Sequence, residues 1–266
     1  MLTQTLCHLP AIDERTEARF WLSGITGWQD ALAHPDLRPG IERSLAHLEA
    51  GEARPFATAL PNALHWRLFP EFRHTLAYLD IETTGGRSDD EITAIALYDG
   101  RTVRCYVNGD NLHRFVEDVR DYQVLVTYNG KCFDVPFIQR FFGVRLDQVH
   151  IDLRYVLASL GLKGGLKGCE RQVGIDRGDL DGLDGYFAVL LWREYVRRRD
   201  PRVLETLLAY NVQDVLSLEV LLTLAYNRKL IGSPFESSHT LLVRSQPANP
   251  YRPDAATIER LRVARA

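Results

Sequence analysis

From Thr75 onward the chain runs through three apolar segments rich in β-branched and aromatic residues: Thr75 to Glu82, Glu91 to Tyr98 and Thr102 to Val107. They are punctuated by Gly85-Gly86 and Asp99-Gly100. Segments so close together can be joined only by tight turns, which predicts an antiparallel meander. The pattern then alternates, with a helix expected over Asn111 to Tyr122, a strand over Val124 to Tyr128, a helix over Val135 to Phe142 closed by Gly143, and a strand reaching Ile151. A meander continued by strand-helix-strand units makes a mixed sheet flanked by helices, an α/β fold.

On either side of this region the chain reads differently. Residues 1–70 form a small helical module, with helices expected over Thr16 to Leu22, Gly27 to Ala33 and Ile41 to Ala50, interrupted by Gly24, Pro35, Pro39 and Gly40. Leu9-Pro10-Ala11-Ile12 ahead of Gly24-Ile25 has the outline of a phosphate-binding helical hairpin. Ala11 and Asp13 stand where such a hairpin needs glycines, however, so the module reads as structural. After Ile151, helices are expected near Leu153 to Leu160, over Tyr186 to Arg199 and from Arg202 to about Asn227, the last with Asp200 as N-cap and Pro201 in its first turn. The division is then 1–70, a central domain at 71–230, and a C-terminal tail at 231–266 with a short helix from Ala255.

With 45% hydrophobic and 25% charged residues the chain can bury a full core, which excludes a disordered chain, a collagen and a disulfide scaffold. The longest uninterrupted apolar run is Tyr186 to Trp192, against about 20 residues for a membrane span. The N-terminus has no basic-then-apolar leader pattern. Cys7, Cys105, Cys132 and Cys169 are at least 27 residues apart, so no Cys-x-x-Cys pair exists and reduced thiols in a cytoplasmic protein are expected, with no membrane contact. A net charge of −3 offers no overall attraction to a polyanion, so nucleic acid would have to be held by local basic patches or metal ions.

The chemistry-bearing residues are acids. Asp80 and Glu82 are two apart on the first strand, so they leave on one face while Ile81 turns into the core. Two carboxylates side by side repel, and a hard divalent cation such as Mg²⁺ or Mn²⁺ is their natural partner. Asp-x-Glu is a cheap pattern, since Asp89-Asp90-Glu91 repeats it in what reads as a solvated loop, but Asp80 and Glu82 end a buried strand where unpaired acids cost several kcal/mol. Asp134 lies between strand and helix, where it can be a helix N-cap, a site residue or both. Tyr210 and Asp214 are one turn apart on the helix that begins at Pro201. Tyr106 and Asp110 have the same spacing but enclose Asn108-Gly109 and read as a turn.

In that order, Asp80-Ile81-Glu82-Thr83-Thr84-Gly85, Asn129-Gly130-Lys131 with Phe133-Asp134, His150-Ile151-Asp152-Leu153, and Tyr210-Asn211 with Asp214 resemble the three-motif signature of the DEDD 3′ to 5′ exonucleases. More narrowly, they resemble the YprB-like ribonuclease H-like proteins of bacteria. The resemblance covers about residues 72–227, and Tyr210, following Ala209, fits the tyrosine type. It implies a ribonuclease H-like fold and two Mg²⁺ or Mn²⁺ ions held by Asp80, Glu82, Asp134 and Asp214, with Asp80 bridging and Tyr210 orienting the attacking water. Thr83 would contact the terminal nucleotide.

For the rest of the substrate, Lys163 and Lys167 in a glycine-rich stretch suit phosphates or merely connect two elements, and Lys131 with Asn129 lies close in sequence to Asp134. Arg193, Arg197, Arg198 and Arg199 form a basic helix end that favours the helix dipole. His150 and Asp152 read as a structural His–Asp pair, and the histidines show no metal spacing. No Gly-x-Gly-x-x-Gly, Walker A or Gly-x-Ser-x-Gly pattern is present. The expectation is a metal-dependent 3′ to 5′ exonuclease acting on single-stranded DNA or RNA ends. The alternatives are an inactive nucleic-acid-binding module on the same fold, an endonuclease of the ribonuclease H-like class, or a scaffolding protein. No motif distinguishes DNA from RNA.

Overall fold

A computed structural model describes residues 1–85 and 91–265. The N-terminal helices are α1 (Glu14–Leu22), α2 (Trp28–Ala31), α3 (Arg38–Glu49), α4 (Arg54–Ala59) and α5 (Phe69–Phe72). The central region follows as β1 (Leu76–Thr83), β2 (Ile92–Tyr98), β3 (Val103–Val107), α6 (Phe115–Asp118), β4 (Val124–Thr127), α7 (Asp134–Phe142), β5 (Val149–Asp152), α8 (Leu153–Ala158), α9 (Gly165–Val173), α10 (Gly185–Arg198) and α11 (Pro201–Leu230). Two more helices, α12 (Glu236–His239) and α13 (Ala255–Arg265), close the chain.

The sheet has the order β3-β2-β1-β4-β5. β1, β2 and β3 form the expected antiparallel meander, while β4 lies parallel to β1 and β5 parallel to β4. The expected helix over Asn111 to Tyr122 is instead one turn of α-helix between two 3₁₀ turns. Leu112, Phe115, Val119 and Tyr122 are buried in the layer against the sheet, and Val116 packs on it in part.

The period of two in β1 decides where the acids go. Ala77, Leu79 and Ile81 face a layer containing Phe115, Phe137 and Ile138. Leu76 and Tyr78 face the opposite layer, where α11 supplies Val215, Leu218, Leu222 and Tyr226. Asp80 and Glu82 continue that second face, so the strand changes from apolar to acidic as it passes along the helix. α11 starts as expected, with Asp200 Oδ1 accepting the Arg202 N–H at 3.0 Å and Pro201 in the first turn. It is long and apolar enough to cross a membrane by composition alone, but it packs on β1 and β2 and most of it is buried inside the protein.

The N-terminal helices bury Leu2, Leu6, Trp28, Ile41 and Phe56 in the same apolar cluster as Leu76, Tyr78 and Tyr226. Trp66 and Phe69 both meet the ring of Tyr226 edge-on, at 5.6 and 6.0 Å. At the other end Ile258 and Leu261 of α13 pack with Phe187 and Leu191 of α10 and Leu207 of α11, and Asn249 donates to the Ala209 carbonyl at 2.8 Å. The four cysteines are free thiols.

Candidate metal centre

Asp80 and Glu82 leave β1 toward α11, and Asp214 meets them from the helix. One ligand oxygen from each of the three lies within 4.8 Å of the others. A bulge follows at once, where the β1–β2 register shifts between Glu82 and Thr83. Such a bulge ends the regular ladder beside the acids and re-aims the strand. Asn211, one residue after Tyr210, donates its Nδ2 to Asp80 Oδ2 at 2.7 Å.

Asp134 comes from the other side of β1. It is the first residue of α7, and its Oδ1 accepts the Ile81 N–H at 3.2 Å, so it is tied to the strand between the two acids. The N-cap reading does not hold, because Phe133 occupies the cap position and no side chain caps the helix. A cavity of about 380 Å³ is lined by Asp80, Glu82, Asp134, Tyr210 and Asp214, with Thr83, Asn129, Phe133 and Tyr186 among its other walls.

Burial sets the electrostatics. It pushes the Asp80 carboxyl well above its usual range, reinforced by Asp214, Asp134 and Glu82 and opposed by the Asn211 hydrogen bond. Glu82 is raised by burial and then by Asp214, against the pull of Lys167. Asp134 is pushed up to about 7, chiefly by burial, although backbone N–H groups lower it. Tyr210 is raised by burial and by the facing Asp214 and Glu82, so its hydroxyl stays protonated at neutral pH.

Two cations stand behind the acids. The Arg177 Nη2 lies 2.5 Å from Asp214 Oδ1, and its Nη1 reaches both oxygens of Glu170 at 2.8 Å. Lys167 Nζ donates to Tyr210 Oη at 2.5 Å and to the Leu183 carbonyl, and it sits 4.5 Å from the centre of the Tyr210 ring. Lys167 therefore points into the site rather than into a solvated connector. Arg177 and Glu170 had no signal in the sequence, because no spacing rule links them to each other or to Asp214. Asn211 stands out in the sequence only as Tyr210's neighbour.

The remaining expected residues separate. Thr83 and Asn129 line the acidic cavity. Asn129 adopts a left-handed φ of 66°, and its N–H donates to Asp152 Oδ1 at 2.7 Å. The Lys131 N–H donates to the other Asp152 oxygen at 3.0 Å, but the lysine side chain lines a different cavity. Lys163 is exposed, and its carbonyl accepts from Gln172 Nε2 at 2.5 Å. The expected His150–Asp152 pair is not one: His150 Nε2 and Thr127 Oγ1 share a hydrogen bond of 2.8 Å, while Asp152 accepts the N–H groups of Asn129, Lys131 and Arg154. Arg197, Arg198 and Arg260 converge on Glu194 at 2.5, 2.7 and 3.6 Å, which ties up much of the basic helix end. Asp89 and Asp90 lie outside the described residues.

The donor set fits a hard divalent cation. All the available ligands are carboxylate oxygens, they repel one another, and the two neighbouring cations sit to one side against Asp214 and Tyr210.

A match to a family model agrees with this architecture. A family model described as RNase_H superfamily matches residues 77–226. Protein YprB of Bacillus subtilis, which is uncharacterized, is 30% identical over 170 residues. The match takes in 55% of this chain and 40% of that relative's length. Among solved structures, the family B DNA polymerase of the hyperthermophilic archaeon Pyrobaculum calidifontis overlays with a TM-score of 0.44 at 22% identity, covering 64% of this chain and 28% of the polymerase.

Proposed function

The chain belongs to the RNase_H superfamily, and on that premise we propose that its acidic cleft hydrolyses phosphodiester bonds of nucleic acid with the help of divalent metal ions, as a 3′ to 5′ exonuclease on single-stranded DNA or RNA. The observation that carries the reading is the convergence of Asp80, Glu82 and Asp214 within 4.8 Å on the floor of a cleft that also holds Asp134 and Tyr210.

In this reading Asp80, Glu82, Asp134 and Asp214 would hold the Mg²⁺ or Mn²⁺ ions, Asp80, Glu82 and Asp214 forming the tightest ligand set. Bound divalent ions supply Lewis acidity, easing deprotonation of a water and balancing the negative charge that builds up as the phosphodiester bond breaks. The protein's own groups do the positioning. Asn211 fixes the rotamer of Asp80, and Arg177 fixes that of Asp214. Tyr210, kept protonated and anchored by Lys167, orients the attacking water by a hydrogen bond rather than taking its proton. At the cleft walls Phe133 and Tyr186 are 37% and 50% exposed, and such rings are what single-strand binders stack bases on.

The test is digestion of 5′-labelled single-stranded DNA and RNA with Mn²⁺ or Mg²⁺, beside an Asp80→Ala protein and an EDTA control. A ladder shortening from the 3′ end, absent in both controls, is expected. Intact substrate throughout, from a protein that nevertheless binds Mn²⁺, would replace the enzyme with a binding module.

A further inference from the structure

A second cavity, of about 440 Å³, lies behind the Asn129–Lys131 loop, between the N-terminal helices and the free edge of β5. Its volume falls in the range of small-molecule sites. Ala63, Ile151, Val156 and the Tyr155 ring, half exposed at 53%, form its apolar walls. Its polar walls are mixed, with Asn62, Ser159, one acid, two histidines and two lysines. Lys131 and Lys229 are both half-buried at its rim, and neither ammonium has a hydrogen bond or ion pair among the described residues.

One acid, Asp152, offsets one of the two charges, which leaves the balance positive. Its oxygens accept the N–H groups of Asn129, Lys131 and Arg154. His65 and His150 complete the wall. Burial lowers both imidazoles, with His150 down to about 4, and the charge of Lys131 lowers both further. They are neutral at pH 7 and can serve as hydrogen-bonding groups. Two ammoniums against one carboxylate, beside apolar walls with one aromatic ring, suit an anionic ligand that carries a flat ring.

We propose that this cavity binds a nucleoside phosphate, with the phosphate against Lys131 and Lys229 and the base against Tyr155. The Tyr155 hydroxyl is engaged at the ring edge by Cys132 Sγ, at 3.5 Å, and the Arg154 guanidinium lies over the ring at 6.0 Å from its centre, while the half-exposed ring keeps surface on which a base can stack. Lys131 carries the link to the metal centre, since its backbone shares the Asp152 carboxylate with Asn129 of the acidic cleft. The nucleoside phosphate has two sources, a free mononucleotide or a unit of a bound strand. Only the second rests on the nuclease reading.

The experiment is calorimetric titration in EDTA of the wild type, the Asp80→Asn protein, and the Lys131→Ala, Lys229→Ala and Tyr155→Ala proteins. The probes are adenosine monophosphate, inorganic phosphate and a short oligothymidylate. Thermal melts check that each variant folds, and Lys229 and Tyr155 are half-buried or exposed positions that tolerate truncation. Either lysine variant should weaken binding about tenfold, the effect of one charge-assisted hydrogen bond, while Asp80→Asn leaves it unchanged. Binding of the mononucleotide names the free ligand, and binding of the oligonucleotide alone names the strand. No binding of either, binding indifferent to Lys229→Ala and Tyr155→Ala, or phosphate binding as tight as the mononucleotide would overturn the assignment. A protein that binds adenosine monophosphate here but cuts no oligonucleotide would refute the nuclease and keep this site, and one that cuts but binds nothing here would do the reverse.

Discussion

Arg177 places Nη2 2.5 Å from Asp214 Oδ1 and Nη1 2.8 Å from both oxygens of Glu170, so one buried guanidinium serves an acid of the cleft and an acid behind it. Glu170 is fully buried and Arg177 is 6% exposed. Removing the cation from such a triad strands two carboxylates in low dielectric, which costs about 3 to 5 kcal/mol. Arg177→Met should therefore lower unfolding stability in EDTA by that amount, and adding Glu170→Gln should return a good part of it. Denaturant melts of the single and double variants measure this. A loss below about 1 kcal/mol for Arg177→Met would show that the triad is solvated and that Asp214 needs no such support.

The unpaired side of the same cluster predicts a pH dependence of opposite sense to ordinary acid denaturation. Asp134 is pushed up to about 7 from an ordinary 3.8, and burial moves Asp80 and Glu82 the same way. A carboxyl that titrates higher in the folded than in the unfolded chain imposes no cost below its unfolded value. It destabilises progressively as pH rises toward its folded value, because the native state then holds the extra proton. In EDTA the protein should thus lose on the order of 3 kcal/mol between about pH 4 and about pH 7, on top of whatever other groups contribute. Mn²⁺ should flatten that fall and add about 2.7 kcal/mol at a hundredfold excess over its dissociation constant. Thermal melts across pH with and without Mn²⁺ check it, and a metal-free stability that rises over this window would contradict the crowding of the acids.

What could be read in the sequence follows from two periods. The period of two in β1 put Asp80 and Glu82 on one face, and the period of 3.6 in α11 put Tyr210 and Asp214 together. The mixed sheet followed from the spacing of turns. What escaped depends on chain paths between elements. Arg177 reaches Asp214 across 37 residues, and nothing local in Asp176-Arg177-Gly178 marks it as a partner. Lys131 was expected near the metals because it is three residues before Asp134, yet the left-handed turn at Asn129 sends its side chain to the other cavity. The His150–Asp152 reading failed although the two, being two apart on β5, start from one face: Asp152 ends the strand as the N-cap of α8, and its oxygens are taken by backbone N–H groups. Asp152 turns to the loop while His150 finds Thr127.

Tyr210 and Lys167 give a separable prediction. The lysine touches the tyrosine twice, by a 2.5 Å hydrogen bond to the hydroxyl and by sitting 4.5 Å from the ring centre. Tyr210→Phe removes the first contact and the hydroxyl that would orient the water, while leaving the ring beneath the ammonium. The nuclease rate should fall about 10- to 100-fold with Mn²⁺ affinity unchanged. Single-turnover rates alongside Mn²⁺ titrations are the measurement. Full activity in Tyr210→Phe would remove the hydroxyl from the mechanism.

Gly130 is held by space rather than by its backbone angle. A Cβ built there would lie 2.2 Å from Thr127 Oγ1 and 2.6 Å from Thr127 Cβ. Thr127 cannot yield, because it is fully buried at the end of β4 and its hydroxyl both accepts the Gly130 N–H at 3.0 Å and bonds His150 Nε2 at 2.8 Å. Gly130→Ala must then move the loop, at about 1 to 3 kcal/mol. That movement pulls the N–H groups of Asn129 and Lys131 off Asp152 and shifts the start of α7, where Asp134 sits. Stability and nuclease activity should fall together, unlike the Tyr210→Phe case. Thr127→Ala removes the Oγ1 and Cγ2 clashes but keeps Cβ, so the Gly130→Ala/Thr127→Ala double variant should be less impaired than the sum of its singles, with a coupling of about 1 kcal/mol in a double-mutant cycle. Strict additivity would mean that the loop accommodates the methyl some other way, and that the tight Gly130–Thr127 contact does not set the position of Asp134.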